Sequence, residues 1–152
     1  MKLASDLTLS DLHQSPTVLV GSFNNRWSLK LLSNLRYTVR TDPTTNNRWI
    51  EDAQAPSKRE WRTDGNQQFD DNHPDYAVVS RYMSPETRQW VLAIAGLNRH
   101  GTEAAGELIC NPEFAKYFPA SVRSQGNLQI VLQTNIINGN AGPPQILAVF
   151  SW

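Results

Sequence analysis

The sequence predicts an α/β domain in three layers, with a mixed, mainly central sheet and late antiparallel hairpins. Three observations carry this expectation. Short apolar runs give way twice to helical patterns, first after residue 20 and again after residue 96. Strong strand patterns at 75–83 and 89–96 flank "SPETR", a turn that suits an antiparallel hairpin. The C-terminal strands at 128–134 and 146–152 enclose an Asn138-Gly139 turn signal, so they too read as antiparallel.

In chain order, residues 7–14 read as a short helix that ends before Pro16, because a residue preceding proline disfavours the helical region. Thr17–Val20 is a continuous apolar run with β-branched residues and reads as a strand buried on both faces. A helix follows at 25–35, where Trp27, Leu31 and Leu35 recur every four residues beside Leu32 and form one apolar face. Residues 36–40 alternate, with Tyr37 and Val39 on one side, and predict a strand. "TDPTTNN" is turn material, and 48–52 suits a short strand. Residues 53–74 are polar and aperiodic, with Trp61 and Phe69 inside and Trp49 just before. A segment of this kind suits a lid or covering loop. After the central hairpin a helix is expected from about Thr102, with Ala104, Ala105 and Gly106 as a small-residue face, broken at Asn111-Pro112. A short helical piece at 113–117 precedes the last two strands.

The 152 residues fit one domain, 1–152, able to bury roughly two thirds of its unfolded surface. The Met-Lys start is equally consistent with a fragment of a longer parent protein. Hydrophobic content of 39% suits a folded chain rather than a disordered one. Fourteen basic against fourteen acidic residues give no net charge, which argues against nucleic acid as a partner. No apolar stretch approaches the roughly twenty residues of a membrane span, so this segment is soluble and makes no membrane contact itself. The N-terminus has no signal-peptide core. The single cysteine, Cys110, rules out an internal disulfide and reads as a small buried apolar group.

Two loops are candidate sites. Ser22, Asn24, Asn25 and Arg26 lie where the first strand hands over to a helix. Asn98, Arg99, Gly101, Thr102 and Glu103 occupy the same position after the strand ending at Gly96. Ligands of open α/β sheets gather at the carboxyl ends of strands, and free N–H groups of a helix start favour anions or polar groups. If the two strands are neighbours, both loops face one crevice. Capping accounts for the same residues: Asn24 or Asn25 can cap the first helix and Thr102 the second. "GLNRHG" has suggestive glycine spacing, but no lysine to reach a phosphate, and no nucleotide fingerprint is present.

Other chemistry is weaker. There is no G-x-S-x-G elbow, and His13, His73 and His100 lie in separate segments. "DDNHPDY" gathers Asp70, Asp71, His73 and Asp75 without the glycine or closing glutamate of a calcium loop, and reads as a solvated acidic turn. Neither a metal nor a cofactor is expected. Trp90 and Trp152 read as packing residues on strands, while Trp49 and Trp61 either pin the polar segment or line an interaction surface. Stacking on single-stranded nucleic acid needs basic neighbours. Arg48, Lys58, Arg59 and Arg62 are offset by Glu51, Asp52, Glu60 and Asp64.

The segments "SPTVLVGSFNNRWSLKLLSNLRYTV", "DYAVVSRYMSPETRQWVLAIAGLNRHGTEAAGELICNPE" and "NLQIVLQTNIINGNAGPPQILAVFSW" together resemble an uncharacterised bacterial domain family. Its members share a G-[AS]-F-[DN]-N-x-W-[ST] loop, a DYA-[IV]-V strand, an AG…GT-x-x-A-G-E helix start and an NG-x-x-G-[PT]-P turn. The resemblance covers nearly the whole chain except 53–72. It implies a domain at the C-terminus of larger, membrane-anchored proteins, and hence a sensory or ligand-binding lobe outside the cytoplasm. A chain not cut from such a parent would be cytoplasmic.

These readings lead to a non-enzymatic sensor or small-ligand-binding domain, with both loops lining a crevice for a small polar or anionic ligand. Arg26 or Arg99 would pair the anionic group. The first alternative is a protein-interaction module acting on a protein partner through 53–72 and its tryptophans. The second is a hydrolase or nucleotide-processing enzyme using Glu103 or Glu107.

Overall fold

The computed structural model describes residues 2–66, 73–117 and 126–152. Within them the order is α1 (Leu9–Gln14), β1 (Thr17–Val20), α2 (Arg26–Leu32), β2 (Tyr37–Thr41), β3 (Asn47–Asp52), β4 (Arg62–Asp64), β5 (Pro74–Met83), β6 (Trp90–Gly96), α3 (Arg99–Cys110), a 3-10 segment (Pro112–Tyr117), β7 (Leu128–Ile137), β8 (Asn140–Ala141) and β9 (Gln145–Ser151). None of these helices is long and apolar enough to cross a membrane.

The main sheet runs β1-β6-β5-β7, and β7 carries both β8 and β9 on its far side. Only β1 with β6 is parallel; the other pairs are antiparallel. The mixed sheet and both antiparallel hairpins are therefore as the sequence implies. Asn138 and Gly139, with φ of 50° and 75°, make the tight β7–β8 turn, a conformation that Asn and Gly adopt most readily.

The three-layer α/β expectation needs correction. Sheet dominates, and a second antiparallel sheet, β2-β3-β4, takes up much of the layer that a helix was expected to fill. On one face of the main sheet, α3 places Ala104, Ala105 and Leu108 on Val79, Ile94, Ile130 and Leu132. On the other face, α1, α2 and the small sheet share the covering: Leu12, Trp27, Leu31, Leu32, Tyr37 and Ile50 meet Val78, Tyr82, Ala93 and Val131. Each fully buried aliphatic side chain contributes about 2 kcal/mol by leaving water. Alternation along β5 and β7 sends successive residues to the two cores, so both strands are buried on both faces.

β1 is an edge strand, not one buried on both faces. Leu19 is buried, while Val18 and Val20 are 62% and 58% exposed, because α3 packs over β5, β6 and β7 and stops short of β1. Helix α2 ends a turn early, at Leu32, where Ser33 donates to the Lys30 carbonyl. Tyr82 pins α2 by donating its hydroxyl to the Leu31 carbonyl at 2.6 Å, and burial pushes the phenol pKa up to about 12. Cys110 is exposed at the end of α3 rather than buried.

Tryptophans 49 and 61 anchor the polar segment. Trp49 is buried, with the Arg59 guanidinium 4.2 Å from its ring, and Trp61 packs edge-on against Tyr37 at 5.7 Å. Of the packing pair, Trp90 lies under Arg81. Trp152 follows β9 and stacks on Phe150, but remains 46% exposed. Phe69 and the acidic pair Asp70-Asp71 fall outside the described residues.

Candidate functional site

The parallel pairing of β1 with β6 brings their carboxyl ends together: Val20 lies opposite Ile94. The loops that follow are tied by the Ser22 hydroxyl, which donates to the Gly96 carbonyl at 2.6 Å. Both helix-opening segments thus leave one rim of the sheet. Between them is an open cavity of about 960 Å³, lined by Ser22, Phe23 and Asn24 from the first loop and by Asn98, Arg99, Thr102 and Glu103 from the second. Further lining residues that the sequence does not mark as part of this site include Arg48 from β3, with Phe23 beneath its guanidinium, Gly106 and Asn140. Glu107, weighed only as a catalytic residue, lines it too. Arg48 reaches the rim only because the small sheet folds over the main one, a non-local arrangement with no local signal.

Several predicted site residues have structural work instead. Asn25 caps α2: its carbonyl oxygen accepts from Trp27 and Ser28 N–H, and its amide donates to the Val20 carbonyl. Arg26 turns away from the crevice. It donates to the Leu7 carbonyl at 2.8 Å and to that of Ser5, and lies over the Trp27 ring. It is unavailable to an anion in the crevice.

Helix α3 begins at Arg99, three residues before the expected start, with Asn98 at the cap position. Neither Asn98 nor Thr102 supplies the cap. The Thr102 hydroxyl donates to the Asn98 carbonyl, and the Gly101 N–H is taken by Asp75 Oδ2 from β5 at 2.7 Å. This frees the Asn98 side chain to act as a strut. Its oxygen accepts from Arg48 Nη1 at 2.7 Å, and its amide donates to Thr63 Oγ1 at 2.8 Å and Asp75 Oδ1 at 3.4 Å. Asp75 was weighed only as part of an acidic turn. It is 1% exposed, and burial raises its carboxyl above the ordinary range against the pull of its donors.

The glycine spacing of "GLNRHG" has a packing cause. A Cβ on Gly96 would stand 2.3 Å from the Thr102 nitrogen, and one on Gly101 would stand 2.4 Å from the Tyr76 carbonyl oxygen. Gly101 is therefore a close-approach residue rather than a ligand contact. Both obstructing atoms are backbone, so Gly101→Ala is expected to cost about 3 kcal/mol, at the upper end of ordinary overpacking. A urea denaturation midpoint unchanged from that of the parent chain would refute this account.

With both helix starts capped internally, recognition in the crevice falls to side chains. The side chains of Asn24, Glu103 and Glu107 are exposed and make no hydrogen bond or ion pair among the described residues. Arg99 is exposed and donates to the Gly139 carbonyl at 3.3 Å. Glu103 and Glu107, one turn apart, place two carboxylates on one wall, with Arg48 and Arg99 as cations around it. Among the described residues no group of three or more His, Cys, Asp or Glu is placed to hold a metal. Compared with known protein families, with curated proteins and with solved structures, the chain matches none.

Proposed function

We propose that this domain is a non-enzymatic small-ligand-binding module, of the kind that serves as the sensing lobe of a larger protein. Its ligand is a small polar molecule carrying both charge signs. The observation that supports this most directly is the shared rim: two strand-to-helix loops, bonded to each other through Ser22 and Gly96, open on one cavity. Carboxylates on the α3 wall suit an amine, and Arg99 with Arg48 suits an acid group. Asn24 can both donate and accept. Cavities of several hundred Å³ with a few convergent polar groups are the usual form of a small-molecule site.

The hydroxyls of the crevice favour binding over catalysis. Ser22 and Thr102 both donate to backbone carbonyls, and neither is hydrogen-bonded to a base that would make it a nucleophile. Placement in a membrane-anchored parent, as the family resemblance implies, would set the crevice outside the cytoplasm.

The test is a thermal-shift screen of the chain against amino acids, sugars and nucleotides. We expect amino acids to raise the melting temperature. Glu103→Gln and Asn24→Ala should abolish the rise while leaving the unliganded melting temperature within a degree or two, since both side chains are exposed and unbonded. No shift with any of the three classes would overturn the reading, as would a shift that survives both substitutions.

A further inference from the structure

A second cavity, of about 540 Å³, lies on the other side of the Arg48–Asn98 strut, between β3, β4 and the first residues of β5. Its charge is not what the sequence suggests. Over 48–64 basic and acidic residues balance in number, yet the fold sorts them. Asp52 is held in a two-bond pair by Arg36, Glu51 by Arg40, and Glu60 lies beside Lys58 at a separate surface hollow. Among the described residues, the charged side chains left lining this cavity are Arg48, Arg59 and Arg62 with one carboxylate, Asp64, beside His73. Among the described residues no carboxylate oxygen lies within 4.0 Å of any of these three guanidiniums.

Two of the three are already positioned. Arg48 donates to the Leu97 carbonyl and to Asn98 Oδ1, and Arg59 rests on the Trp49 ring. Holding a guanidinium in place before binding removes much of the side-chain entropy that anion capture would otherwise cost. Three guanidiniums lining one cavity, with one lining carboxylate among the described residues, match a ligand with at least two negative charges. Their planar forks suit the paired oxygens of phosphate or carboxylate groups.

We infer that this cavity is an anion site, separate from the crevice, that takes a small molecule bearing a phosphate, diphosphate or polycarboxylate group. Arg59 and Arg62 bind the anion, and Arg48 forms the fixed rear wall. The two cavities share Arg48 and Asn98, so an anion on this side bears on the strut that borders the crevice.

Isothermal titration of the chain at low ionic strength with inorganic diphosphate and, in a second arm, with citrate distinguishes phosphate from carboxylate chemistry. We expect saturable binding of at least one anion, weakened about tenfold by Arg59→Gln and by Arg62→Gln, each of which removes a charge-assisted contact and leaves a shorter, neutral polar side chain. Both residues are exposed, so both variants should stay folded; Arg62→Gln should keep the parental melting temperature, and Arg59→Gln should lose only its contact with the Trp49 ring. Glu103→Gln and Asn24→Ala should leave anion binding intact, which separates this site from the crevice. No heat with either anion at millimolar concentration would overturn the inference, as would affinity unchanged in both arginine variants.

Discussion

Replacing Gln129 by leucine is expected to destabilise the chain by about 4 kcal/mol, one of the two largest single-residue effects we predict. Gln129 is completely buried on β7, and its amide holds the small sheet against the main one. The side-chain oxygen accepts from Tyr37 N–H at 2.9 Å. The nitrogen donates to the Tyr37 carbonyl at 2.8 Å and to Ser80 Oγ at 2.9 Å. The register explains why Tyr37 needs it. Ala53 N–H donates to the Arg36 carbonyl, so hydrogen-bonded and open pairs alternate from there, and Tyr37 opposite Asp52 turns its own groups away from β3. Gln129 thus stands in for a missing strand neighbour. Leucine fills a similar volume but leaves the buried N–H and C=O of Tyr37 unpaired, at about 1–3 kcal/mol each. Typical domains are stable by only about 5–15 kcal/mol, so the loss should be plain in a urea denaturation curve. A change below about 1 kcal/mol would show that the two sheets hold together without this amide.

Gln129 also shows where sequence reasoning stops. In "LQIVLQT" alternation puts Leu128, Ile130 and Leu132 on one face, and a polar residue on the other face reads as solvent-facing. That face is covered by β2 and β3, which come from 92 positions earlier in the chain at the point of contact. Local signals fared better. The α2 face of Trp27, Leu31 and Leu32, the Asn138-Gly139 turn and the asparagine cap of α2 all depend on a few adjacent residues, and all are where the pattern implies. The two crevice loops were legible as a pair because each follows a strand. Arg48 was not, because it enters the rim from another sheet. The start of α3 was misplaced for a related reason: its cap is Asp75, a residue 26 positions away on β5.

That distant cap supports the second large effect. Asp75→Ala should cost about 3 kcal/mol, since it removes the acceptor for three donors: the N–H groups of Gly101 and Tyr76 and the Asn98 amide. Asp75→Asn keeps the shape but must turn an NH2 group toward one of those donors, and should cost about 2 kcal/mol. The two variants also carry a pH signature. Burial is the largest influence on the Asp75 carboxyl and raises its pKa in the folded chain above the unfolded value of 3.8. Between those two pKa values the folded chain binds more protons than the unfolded one, so the contribution of this group falls as pH rises. It is fully present below pH 3.8 and is lost as pH climbs through the folded pKa. Asp52 runs the other way. Its pair with Arg36 lowers the pKa, so its contribution is present above 3.8 and lost on acidification. Total stability mixes both trends, but the difference between the parent chain and Asp75→Asn isolates one. Denaturation midpoints at pH 4 and pH 7 should therefore show a larger penalty for Asp75→Asn at the lower pH. A penalty that grows toward pH 7 would mean that the donors of Gly101, Tyr76 and Asn98 outweigh burial and that Asp75 caps α3 chiefly as a carboxylate. Asp75→Ala also loosens the strut, because Asn98 loses one of its partners, and with it the α3 wall on which Glu103 and Glu107 stand.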